Sequence, residues 1–192
     1  MDDIKRMITE VSELTHTILQ DHQLLQAIQK VIALITDAYR TGNKVVFCGN
    51  GGSAAEAQHL AAELSGKFRL NRTPLPAEAC HVNSSFITAV SNDYSFSKAY
   101  ARYIEGFCRK GDILLGMSTS GESKNIIEAF QAASKNGLTT IALTGKTGGL
   151  LASHADFTLK IPSVNVARIQ EIHLVIGHII CESVEKNLFG EE

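Results

Sequence analysis

His59 and Glu63 stand four residues apart in a stretch otherwise dominated by Ala, Leu and Gln, just after the glycine turn GNGGS (49–53). On a helix, side chains at i and i+4 share one face, with Cβ atoms about 6 Å apart. One imidazole and one carboxylate so placed can exchange protons with a single substrate, and both are ligand types that zinc accepts. A solvated pair, or a satisfied core histidine, is the plainer explanation. The context favours chemistry, because the helix starts from a turn of the ligand-binding kind. Glu56 and Gln58 of the same helix are expected to face solvent. A second polar group interrupts the apolar segment ARIQEIHLVIGHIICESV: Gln170, Glu171, His173 and His178. Polar groups on an apolar, buried face need partners. Structural hydrogen bonding would supply them, and so would a zinc shell drawn from two helices. Gln170 and His178 lie about 12 Å apart along a helix axis. Both reach one ion only if their side chains lean together or come from different chains.

The stretch STSGES (118–123) precedes the amphipathic run KNIIEAFQAA. Ser118, Thr119, Ser120 and Ser123 therefore crowd a helix N-terminus, where unpaired N–H groups and the helix dipole favour an anion. A single serine would suffice as a cap, so four hydroxyls in six residues point to phosphate. No lysine follows in the GxxxxGK[ST] pattern, so this is not a nucleotide P-loop. In GNGGS, Gly51 and Gly52 allow close backbone approach, and Asn50 and Ser53 offer side-chain donors. Ser53 could equally cap the following helix. The pattern is not GxGxxG, so no dinucleotide fold is indicated.

The elements that must hold these residues are legible as a rhythm. Apolar strand runs KVVFC (44–48), DILLGMS (112–118), TTIALTG (139–145) and FTLKIP (157–162), with a weaker run at 76–82, alternate with helical segments. That alternation predicts a parallel sheet covered on both faces, a doubly wound α/β fold. Its ligand turns belong at the carboxyl ends of the strands: GNGGS, STSGES and LTGKTGG (143–149). Helical patterns at 4–18 and 22–41 precede the first strand, and a long helix covers about 164–189. The second N-terminal helix is apolar over most of its circumference, which implies burial on more than one side. The N-terminal pair (residues 1–42) is thus expected to serve an oligomer interface within one domain spanning 1–192.

Composition bounds the rest. The chain has 192 residues, 44% of them hydrophobic, and a net charge of −2. No basic surface advertises nucleic acid, and no apolar run approaches the ~18 residues of a membrane span. The acidic N-terminus lacks a signal-peptide core. Four scattered cysteines without a CxxC suggest reduced, buried thiols of a cytoplasmic protein.

Taken together, GNGGS, QHLAAE, SND (91–93), STSGES and RIQEIH…H resemble the sugar isomerase (SIS) domains, and more narrowly the phosphoheptose isomerases. The likeness spans nearly the whole chain. It implies an SIS-type doubly wound fold and an aldose–ketose isomerase. That enzyme would convert sedoheptulose 7-phosphate to D-glycero-D-manno-heptose 7-phosphate, for lipopolysaccharide heptose synthesis, by enediol proton transfer. By position it implies that Asn50, Gly51, Gly52, Ser53, Asn92 and Asp93 contact substrate. Ser118, Thr119, Ser120 and Ser123 would hold the phosphate, and Gln170 would touch substrate or metal. It also implies zinc, one per subunit, at His59, Glu63, Gln170 and His178, with Glu63 as base and His178 as acid. The family assembles as homotetramers with shared active sites. Ala167 stands where some members carry Asp. That alanine and the GNG, STxGxS and ARIQE motifs also occur in a non-catalytic SIS relative that binds the replication initiator DnaA. Binding DnaA, or sensing sugar phosphates, is therefore the alternative reading, and the presence of both Glu63 and His178 favours the enzyme.

Overall fold

The computed structural model describes residues 1–190. Two helices come first, α1 (Asp2–Gln20) and α2 (His22–Arg40), joined at Asp21, whose side chain accepts the Leu24 N–H and caps α2. Then follow β1 (Val45–Cys48), α3 (Gly52–Ser65), β2 (Ala77–Ala79), α4 (Ser84–Asp93), α5 (Ala99–Phe107), β3 (Ile113–Ser118), α6 (Lys124–Lys135), β4 (Thr139–Thr144), β5 (Phe157–Lys160) and α7 (Val166–Phe189). The strands pair in parallel in the order β2-β1-β3-β4-β5.

Strand side chains alternate between two cores, as the two-residue period requires. Val45, Phe47, Ile113 and Leu115 face a core completed by α1, α2, α3 and α7. Val46, Cys48 and Leu114 face the core built by α4, α5 and α6. Burial on both faces explains why these strands read as continuous apolar runs. The four stronger strand expectations are met within a residue or two. The weak run at 76–82 is a three-residue edge strand, short because Pro76 lacks an N–H and only Ala79 is fully buried. The sequence pattern marks no element between 83 and 107, where α4 and α5 lie. Asn83, which caps α4 by accepting the Phe86 N–H, is the signal that could have marked the first of them.

From β1 the chain moves to the edge strand β2, whereas from β3 it moves the opposite way to β4. The turns after β1 and β3 are thus neighbours at the point where strand order diverges. That point is where an open parallel sheet leaves its crevice.

Candidate active site

The turn after β1 is built for close backbone approach. Gly51 has φ +55°, and a Cβ on Gly49 would run into the Ser53 carbonyl. Tyr100, buried in the second core, donates its hydroxyl to the Gly49 carbonyl at 2.7 Å. Asn50 does not project freely. Its amide exchanges two hydrogen bonds with that of Asn125, at 2.9 and 2.8 Å, tying the β1 turn to the first turn of α6. Asn125, which is 4% exposed, escaped the sequence reading because it sits one residue inside a helical pattern.

The turn after β3 departs from simple capping. Ser123 occupies the N-cap of α6, yet its side chain makes no capping hydrogen bond. Its hydroxyl instead lies 3.1 Å from that of Ser118. Ser118 Oγ also accepts the Gly121 N–H, and Ser120 Oγ accepts the Glu122 N–H. The hydroxyls of Ser118, Ser120 and Ser123 and the N-terminus of α6 therefore lie together in one turn rich in donors. Gly121, with φ +71°, packs so tightly against the Gly148 backbone that a side chain there would collide with it. Thr119 and Ser120 line a cavity shared with Lys146 and Ser163.

His59, Glu63 and His178 come together between α3 and α7. The two imidazole Nε2 atoms are 2.8 Å apart, and His59 Nε2 is 3.3 Å from Glu63 Oε1. The Phe68 ring lies 5.7 Å from that of His178. One donor atom from each of the three residues falls within 4.8 Å of the others. Ligands of a tetrahedral zinc, with bonds of about 2.0–2.1 Å, sit roughly 3.3 Å from one another. Two nitrogens and a carboxylate oxygen at these separations fit such an ion in both chemistry and spacing.

Gln170 is not part of this trio within one chain. Its amide lies over Gly52, where a Cβ would be 2.6 Å from Nε2, and reaches Ser53 Oγ at 3.5 Å. His178 follows eight residues later, about 12 Å along the helix. The other polar residues of α7 separate cleanly. His173 is fully buried, with Nε2 at 3.3 Å from the Thr144 carbonyl. Burial pushes its pKa down to about 4, so it is a neutral core imidazole. Glu171 pairs with Arg168 at 3.1 Å on the surface. Asn92 and Asp93 end α4, exposed, and their side chains bond to each other.

Glu56 corrects the expectation of a solvent-facing residue. It shares the α3 stripe of Gly52, His59 and Glu63, and its Oε2 is buried without a partner among the described residues. Desolvation raises its pKa to about 7, against a lowering hydrogen bond from Ser53.

A doubly wound sheet with a hydroxyl-rich turn at its switch point matches the class of sugar-isomerase domains. Residues 8–145 match the SIS domain family. The chain is 48% identical to the phosphoheptose isomerase of Clostridium acetobutylicum over 98% of its length and 96% of the relative's. Its fold superimposes on the phosphoheptose isomerase structure from Francisella tularensis with a TM-score of 0.92, at 35% identity and covering 96% and 97% of the two chains. The structure from Neisseria gonorrhoeae gives 0.90, at 34% identity and covering 96% and 98%. The chain belongs to the phosphoheptose isomerase family and is an isomerase. The non-catalytic, DnaA-binding alternative is not favoured.

Proposed function

We propose that the chain interconverts sedoheptulose 7-phosphate and D-glycero-D-manno-heptose 7-phosphate through an enediol. The observation that carries this reading is the convergence of His59, Glu63 and His178 between α3 and α7. Glu63 meets His59 through Oε1, which leaves Oε2 to take the proton from C1 of the ketose and return it to C2. His178 moves the second proton between the oxygens on C2 and C1, a task suited to an imidazole. The N–H groups and hydroxyls of Ser118, Thr119, Ser120 and Ser123 hold the phosphate and fix the reacting carbons. The backbone of Asn50, Gly51, Gly52 and Ser53 lines the sugar, with Gln170 above it. Asn92 and Asp93 are assigned to the sugar by family position.

The residues that would hold zinc are His59, Glu63 and His178, and Gln170 joins them only across a subunit boundary. Zinc would stabilise negative charge developing on the substrate oxygens. The family likeness implies an assembly of four chains, and the exposed apolar residues Ile4, Met7 and Ile8 of α1 and Val175 and Ile179 of α7 support an interface between chains. Among the described residues no helix is long and apolar enough to cross a membrane. Four free cysteines support a reducing, cytoplasmic setting.

The direct test offers purified protein sedoheptulose 7-phosphate, fructose 6-phosphate and ribulose 5-phosphate in parallel, with metal content measured. Aldose formation from the heptulose, at a kcat/KM well above the other two, is expected. Preferential turnover of a shorter sugar would replace the heptose assignment.

A further inference from the structure

Seven residues beyond His178, two turns along α7 and on the same face, lies Glu185. It is 1% exposed. Its carboxylate accepts the N–H groups of Phe68 (3.1 Å), Arg69 (2.8 Å) and Leu70 (3.0 Å), and Arg72 Nε at 2.8 Å. The other Arg72 nitrogens donate to the carbonyls of Glu63 (3.0 Å), Leu64 (2.9 Å), Gly66 (3.2 Å) and Thr73 (3.0 Å). Those first carbonyls belong to the last turn of α3, which has no further helical amides to bond. A cation there also meets the negative end of the helix dipole. Both side chains of the pair are only 2% exposed.

The site needs α3 and α7 in one axial register, because His59 and Glu63 ride on one helix and His178 on the other. One contact already holds them close, since a Cβ on Gly177 would come 2.5 Å from a Leu60 methyl. That contact lies within both helices and does not reach the 66–73 segment that follows α3. A buried ion pair is weak evidence for stability, since apolar replacements are often neutral or better. Every hydrogen bond of this one runs to the segment that begins at Glu63.

We propose that Arg72 and Glu185 are positioning residues of the active site: together they fix the end of α3 to α7, setting Glu63 and His59 against His178, and seat Phe68 on the His178 ring. The inference rests on the acid–base reading above, and the experiment separates the two. Parent, Arg72→Lys, Glu185→Gln, Phe68→Leu and Glu63→Gln are compared by circular dichroism, by kcat and KM on sedoheptulose 7-phosphate, and by cobalt(II) titration of the metal-stripped proteins.

Arg72→Lys keeps the charge but loses the fork of donors. It is expected to stay folded and to lose about 10- to 100-fold in kcat, as misplacement of reacting groups does. Its KM should hold within about threefold, because the phosphate turn lies on other elements. Its cobalt affinity should fall about tenfold, as outer-shell changes do. Glu185→Gln should behave alike. Folded variants with parental kcat and cobalt affinity, while Glu63→Gln is inactive, would overturn the positioning role alone. An active Glu63→Gln would overturn the acid–base reading and this inference with it. Should both clamp variants lose the fold, Phe68→Leu decides: a lowered kcat at unchanged KM supports the proposal, and a parental kcat overturns it.

Discussion

Two regions of the site are made in different ways. Between α3 and α7 the proposed chemistry falls to side chains, His59, Glu63 and His178, brought together by helix packing near a buried ion pair at Glu185, seven residues beyond His178. After β3 the proposed phosphate grip falls to a turn, whose hydroxyls are partly engaged with the turn's own amides and whose helix N-terminus would supply the rest. The first arrangement provides a few specific groups whose replacement removes a step. The second spreads its work over many equivalent donors, so that replacing one leaves the others. Substitutions should therefore act on kcat in one region and on KM in the other.

The largest expected effect is in the helix pair. Glu63→Gln should reduce kcat by about 10²–10⁴, the usual contribution of a positioned base, while binding of the sugar phosphate, followed by calorimetry, stays near parental. A loss of binding instead would place Glu63 in substrate recognition and blur the contrast. Stripping metal with a chelator should lower turnover by about a hundredfold or more, if Lewis-acid stabilisation contributes its usual several kcal/mol. Re-adding zinc should restore it, and an indifferent rate would remove the metal from the account.

In the turn the effects should be smaller and of the other kind. Ser120→Ala and Ser123→Ala each remove one hydrogen bond to a charged group, about 1.5–3 kcal/mol. KM should rise about tenfold or more for the phosphorylated ketose and stay nearly unchanged for unphosphorylated sedoheptulose. Equal changes for both would argue against phosphate contact. Asn125→Ala, which opens the amide pair with Asn50, should cost roughly 1 kcal/mol of stability or binding. If it instead abolishes kcat, the division between the two regions is not as sharp as drawn.

The smallest effect concerns pH. Burial raises Glu56 from 4.5 to about 7, with Ser53 partly opposing. A carboxyl so raised binds its proton more tightly in the folded state. Its contribution to stability is therefore complete below about pH 4.5 and lost as pH rises through about 7. Solvent access keeps the magnitude small. Thermal midpoints of parent and Glu56→Gln should diverge between pH 5 and 8, with the variant relatively more stable at pH 8. Parallel curves would show that the carboxyl is better solvated than its buried oxygen implies.

Much of this was legible in the residues. The sheet announced itself because strands buried on both faces must be apolar throughout, and the ligand turns because glycine and hydroxyl clusters have few other uses at strand ends. His59, Glu63 and His178 were legible as polar interruptions of apolar helices, and the structure brings the three together. What was not legible depends on how helices lie against one another. Nothing in the spacing separates His173, a neutral core imidazole under Thr144, from His178 five residues later. Glu56 looked solvent-facing because a carboxylate usually is. It shares the stripe of His59 and Glu63, and helical periodicity would have flagged it. Asn125, Arg72 and Glu185 carry no motif, since their roles exist only once distant segments meet. Gln170, read with the metal ligands, lies two turns away at Gly52 within one chain.

The most direct measurement follows sedoheptulose 7-phosphate by NMR in deuterium oxide, with parent protein and Glu63→Gln. Proton transfer through an enediol on Glu63 predicts heptose 7-phosphate from the parent, with deuterium at C2 in the share of turnovers in which the carboxyl proton exchanges with solvent before its return, and product from the variant at an about 10²–10⁴-fold lower rate. Product that forms at the parental rate without the Glu63 carboxylate would contradict the account.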